Sequence, residues 1–98
     1  MVVWINHYPW YQLLEVDPRK LESVARRQRA IKTEKILPLI KKIQEGGEID
    51  APIISKGCQE AICFVDGIHR TLAAIQEGLP TIKIAVRPEE LNFIIEHL

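Results

Sequence analysis

The residues with the best claim to chemistry are Asp66, Gly67, Ile68, His69, Arg70 and Thr71, which follow directly on the apolar run 61–65. An apolar run that stops at Asp-Gly and resumes as an amphipathic segment predicts a strand, a tight turn and a helix. A glycine at that turn lets the backbone come close to a ligand, and the new helix offers unpaired N–H groups with positive dipole character. Together these make an anion site. Asp66 has two readings: a turn residue whose carboxylate accepts local N–H bonds, or a group that holds magnesium or acts as a base.

A second concentration of charge lies upstream. Arg19, Lys20, Arg26, Arg27, Arg29, Lys32 and Lys35 stand against only Glu22 and Glu34, a local balance of +5 in a chain whose formal net charge is zero. Such a run is a solvated face unless the fold brings it to a ligand. With no net charge, no global field recruits nucleic acid.

The elements that must position these groups can be read in order. Residues 1–12 form an aromatic arm holding Trp4, Tyr8, Trp10 and Tyr11 with no Lys or Arg among them. An arm of this kind docks its rings on the domain or on a second copy of it, giving a homodimer, rather than stacking bases. Residues 13–16 read as a short strand ending at Asp17-Pro18, residues 20–25 as extended or irregular chain, and residues 25–32 as a basic loop. Ile36, Leu39, Ile40 and Ile43 then share one helical face, with Thr33 as N-cap candidate, Pro38 in the first turn or at a kink, and Gly46-Gly47 as the stop.

Beyond that stop, residues 51–55 read as a strand with Pro52 at its start, and residues 61–65 as a strand buried on both faces. A helix over residues 68–77 ends at Gly78. Residues 82–86 alternate as a half-buried strand, and Pro88 opens a last helix whose apolar stripe is Leu91, Ile94, Ile95 and Leu98. The expected architecture is α+β, a small mixed β-sheet with helices packed against it.

Length and composition agree with a single domain: 98 residues, 47% hydrophobic and 27% charged. No apolar run reaches the roughly 18 residues of a membrane span and no secretory leader is read, so the expectation is a cytoplasmic protein with no membrane partner. Cys58 and Cys63 read as idle thiols. No His, Cys or acid spacing suggests a metal site.

The order of these pieces resembles the ParB/sulfiredoxin-like superfamily. The resemblance rests on residues 36–43, then Ala51-Pro52-Ile53-Ile54, Val65-Asp66-Gly67-Ile68-His69-Arg70, and residues 81–86; it covers residues 13–98 and leaves out the arm. It implies a ParB N-terminal-like nucleotide-binding domain. The Asp-Gly-X-His-Arg turn is especially similar to ParB-like free-serine kinases. The resemblance implies that ATP or a related triphosphate is held by its phosphates at Gly67, Ile68, His69, Arg70 and Thr71, and the second reading of Asp66 would add magnesium. Lys35 and the arginines Arg26, Arg27 and Arg29 match the family's helix lysine and loop arginine, and so become a candidate phosphate clamp. Which arginine faces inward stays open.

The catalytic candidates are Asp66, through its reading as a base, His69, and Glu15, which lies nearest in chain order to the acid that the kinase-like branch of the family carries after its first strand; the alternative for Glu15 is a solvated carboxylate. Ile68 stands where sulfiredoxins carry their catalytic cysteine, so sulfiredoxin chemistry is not expected. Ile68 and His69 also replace the Glu and Arg of the ParB turn, and no helix-turn-helix follows. The expected function is nucleotide binding, with phosphoryl transfer or hydrolysis as the reaction class. The alternatives are a non-enzymatic DNA-, RNA- or protein-binding module using the basic loop, and a weak nuclease, which lacks a clustered acid pair for two metals.

Overall fold

The protein is seen here as a computed structural model that describes residues 1–57 and 59–98; the thiol expected to be idle at Cys58 lies outside the described residues. In chain order the elements are β1 (Val3–Ile5), β2 (Gln12–Val16), a 3-10 turn (Pro18–Leu21), α1 (Glu22–Gln28), α2 (Thr33–Gln44), β3 (Glu48–Asp50), β4 (Ile53–Lys56), β5 (Ile62–Asp66), α3 (Ile68–Gln76), β6 (Ile82–Val86), a second 3-10 turn (Pro88–Glu90) and α4 (Leu91–Glu96).

The main sheet runs β2-β6-β4-β5. β6 pairs antiparallel with β2 and parallel with β4, and β4 pairs antiparallel with β5. Strand residues alternate between faces, and the core divides accordingly. Leu14, Val16, Ile54, Phe64, Ile82, Ile84 and Val86 pack with Ala25, Ile40, Leu72 and Ile94, so all four helices lie on one face. The alternate set Leu13, Ile53 and Ala85 points the other way, where Trp4 and Tyr11 cover it. The coarse expectation of a mixed sheet with helices against it therefore holds.

Several local expectations are corrected. Residues 20–25 are helical rather than irregular, and so are residues 25–28 of the expected basic loop, because Leu21 and Ala25, both fully buried, and Val24, packed against the core, anchor one side of a short helix whose remaining residues are polar. Thr33 is not the N-cap of α2 but its first residue; the cap position is Lys32, which makes no side-chain cap. Pro38 lies inside α2 beyond its first turn, on the exposed side. The helix ends at Glu45 as expected, with Gly46 at φ +72° and its N–H on the Ile43 carbonyl, and the Gly47 N–H on the Lys42 carbonyl.

β5 is not buried on both faces. It is an edge strand, and Val65 is 56% exposed. β6 is more buried than a half-exposed strand, since as an inner strand it buries Ala85 as well as Ile82, Ile84 and Val86. In α4 the buried residue is Ile94, while Ile95 turns out to solvent at 48% exposure and Phe93 packs inward instead. The aromatic arm contains a strand: β1 pairs parallel with β3, Trp4 opposite Ile49. Tyr8, Trp10 and Tyr11 pack against one another in tilted and edge-on pairs at centroid separations of 5.1–6.2 Å, with Trp10 63% exposed. No helix among the described residues is long and apolar enough to cross a membrane.

Candidate functional site

β5 ends at Asp66, Gly67 turns the chain, and α3 starts at Ile68. Gly67 sits at φ +99°, in the left-handed region, and a Cβ there would come within 2.7 Å of the Pro52 Cα and Cβ atoms. Both conditions demand glycine. The close approach that Gly67 permits is thus to Pro52, whose buried ring fixes the turn against the start of β4.

The first intrahelical bond of α3 runs from the Thr71 N–H to the Gly67 carbonyl at 3.0 Å. The N–H groups of Ile68, His69 and Arg70 precede it and have no acceptor among the described residues, as expected of a first turn. Ile68, His69 and Arg70 line a cavity of about 230 Å³ together with Arg29, Lys35 and Asp66, and Leu39 and Val65 supply part of an apolar wall.

The side chains of the turn divide into those that build it and those left at the cavity. Ile68 is buried in the core. Thr71 is fully buried and its hydroxyl donates to the Gly67 carbonyl at 3.1 Å, so it locks the turn from inside and does not line the cavity. Arg70 is largely occupied: one guanidinium nitrogen is 2.8 Å from the Asp66 carboxylate and the other donates to the Asp50 carbonyl at 2.8 Å. This fork ties α3 to the link between β3 and β4, and it holds Asp66 as an ion-pair partner at the cavity wall.

His69 accepts a hydrogen bond from the Lys32 N–H at Nε2, 3.2 Å away, which places the ring proton on Nδ1. Burial, then Lys35 and Arg29, hold its imidazole below the ordinary value, with Glu34 pulling the other way. The bond also joins α3 to the segment leading into α2.

Of the basic run, the fold brings Arg29 and Lys35 to the turn. Arg26 pairs with Glu22 at 3.0 Å, and Arg27 donates to the Ser23 carbonyl at 3.2 Å; neither lines the cavity. Glu15 is on β2, where it lines two other grooves. Among the described residues no group of three or more His, Cys, Asp or Glu side chains gathers to hold a metal ion.

One residue of this region was not singled out in the sequence. The Gln28 amide donates to the Phe64 carbonyl at 2.6 Å and accepts from the Phe64 N–H at 2.7 Å, closing the free edge of β5 and docking the end of α1 beside the turn. Arg29 is the next residue, so this clasp sets where its side chain begins. The only sequence signal is a neutral amide inside a run of charges. No protein-family model matches the chain, and no curated protein or solved structure matches it.

Proposed function

We propose that the cavity at the β5–α3 turn binds the phosphates of a nucleotide, ATP or a related triphosphate, on a ParB/sulfiredoxin-like domain. The observation that carries this reading is that Arg29 and Lys35, from either side of the loop between α1 and α2, line one cavity with the first residues of α3, a helix start whose N–H groups are unpaired among the described residues. Cationic side chains around free backbone donors are the donor set that phosphoryl oxygens require. Among the described residues the one carboxylate in the cavity wall is Asp66, and it is already matched by Arg70.

At about 230 Å³ the cavity is smaller than the roughly 300–1,000 Å³ of sites that enclose a whole small molecule. Phosphates go in, and sugar and base extend over the rim at Leu39 and the exposed Val65. His69, neutral with its proton on Nδ1, offers a further donor. Proton transfer in a phosphoryl-transfer or hydrolysis step falls to His69 or Asp66, while Arg29 and Lys35 neutralise charge on the phosphates. The reading rests on Arg29 and Lys35 rather than on Arg26, Arg27, Thr71 or Glu15.

Calorimetry with ATP, other nucleoside triphosphates and inorganic triphosphate, with and without magnesium, tests it. The wild-type chain should bind, and an Arg29→Ala/Lys35→Ala variant should bind at least about tenfold more weakly, equivalent to about 1.4 kcal/mol. Both side chains lie outside the core, so the variant should keep its fold. Absence of binding by the wild type, or equal binding by the variant, refutes the reading.

A further inference from the structure

The two edges of the main sheet are finished differently. On β5 the Gln28 amide occupies both backbone groups of Phe64. On β2 no comparable side-chain clasp is present among the described residues. Ala85 of β6 donates its N–H to the Pro52 carbonyl, on the β4 side. In an alternating antiparallel ladder the groups of Ile84 therefore turn toward β2 and pair with Leu14, its register partner. The N–H and C=O of Leu13 and of Glu15 are left pointing away from the sheet. Neither residue has a backbone partner there among the described residues.

Edge strands are usually blunted by lysine, proline, a bulge or a covering segment. The run Gln12–Val16 holds no Lys and no Pro, and its register with β6 is unbroken. Beside it lies a groove of about 330 Å³ whose apolar lining is Leu14, Val16, Ile95 and Leu98, with Glu15, Asp17 and Lys20 at its polar side. This groove is where the exposed Ile95 of α4 faces the strand.

We propose that β2 is a dimerisation edge. Two copies of the chain pair antiparallel through β2 about a twofold axis at Leu14, joining their sheets into one. In this register Leu13 lies opposite Glu15 of the other copy, and the free N–H and C=O groups of both residues are satisfied by exchange. Leu14 meets its own counterpart as the non-hydrogen-bonded pair, where side chains are closest. That contact lies on the helix face, so Ile95 of each copy flanks it and is covered.

Neighbouring registers are excluded by the side chains and backbone groups they would bring together. Setting Glu15 opposite its own copy opposes like charges directly. Setting Leu13 opposite its own copy needs the Tyr11 N–H and C=O, which are committed to the Tyr8 carbonyl at 3.0 Å and the Asn6 amide at 2.8 Å. In the proposed register Glu15 keeps Lys83 as its neighbour on β6, which offsets its charge on the outer face. Partner selection is thus isologous, the commonest closed arrangement for soluble proteins.

Sedimentation of the full chain over a concentration series should show a monomer–dimer equilibrium. Ile95→Lys, on an exposed position, and Glu15→Pro, which removes an outward N–H without touching the bonds to β6, should each raise the dissociation constant at least about tenfold. Circular dichroism establishes that each variant is folded, and Ile95→Lys carries the test if Glu15→Pro is not. The register is read separately in a Cys58→Ser/Cys63→Ser background. Leu14→Cys should cross-link on oxidation, since such pairs have Cα atoms about 4.5 Å apart. Leu13→Cys should not, being about 7–8 Å from its counterpart. A chain monomeric up to about 1 mM, a dimer indifferent to Ile95→Lys, or cross-linking at Leu13→Cys instead of Leu14→Cys overturns the proposal.

Discussion

His69 links the local electrostatics of the turn to pH. Its imidazole is held below the ordinary value by burial and by Lys35 and Arg29, so in the folded chain it resists a proton that the unfolded chain accepts near pH 6.5. A histidine whose folded value is depressed contributes stability that is complete above the unfolded value and is lost as pH falls through the folded one. His69→Gln keeps an acceptor for the Lys32 N–H and removes the titration. Urea unfolding from pH 7.5 down to 5 should therefore show the wild type losing stability relative to His69→Gln as pH falls below about 6.5. Parallel curves would sink the assignment. A bound polyanion reverses the sign of the local field, so adding inorganic triphosphate should move the His69 titration upward in a nuclear magnetic resonance pH series.

At the scale of elements, α1 acts as a clasp. Its surface ion pair between Arg26 and Glu22 contributes little, whereas Gln28 satisfies a part-buried N–H and C=O on β5. Gln28→Ala leaves both Phe64 groups without a protein partner and should cost about 1–3 kcal/mol in urea unfolding. It should also weaken triphosphate binding, because Arg29 loses its anchored neighbour; an unchanged affinity would show that Arg29 is positioned by other contacts. This clasp was not legible in the sequence, and the reason is physical. The inward side of that segment is Leu21, Val24 and Ala25, a single turn of helical spacing among charged residues, and a side-chain-to-backbone bond across 36 positions leaves no local pattern. β3 escaped for a similar reason: Ile49 is its only buried residue, between the exposed Glu48 and Asp50. The β5–α3 turn was legible because Asp-Gly, a preceding apolar run and a following helical period are all local. Its partners Arg29 and Lys35 were reached through resemblance, and Arg26 and Arg27 could not be separated from Arg29 until the end of α1 was placed.

At the scale of the molecule, stability is graded from β6 outward. The radius of gyration, 12.6 Å, is about that of one compact domain of this length. Within it β6 is an inner strand, paired on both sides and covered by helices on one face and by Trp4 and Tyr11 on part of the other. β1 and β3 form a separate parallel pair of three residues each, and a two-stranded unit that short is marginal without tertiary support. Its support is Trp4, which packs against both hydrophobic clusters, and Ile49, its cross-strand neighbour. Amide hydrogen exchange should therefore find Ile82, Ile84 and Val86 opening only with global unfolding, and Trp4 and Ile5 opening earlier in a unit with β3. Trp4→Ala should widen that gap by releasing β1 while β6 remains protected at the level set by the remaining core. If Trp4 and Ile5 instead exchange at the rate of β6, the first strand is part of the global cooperative unit, and the two sheets unfold as one.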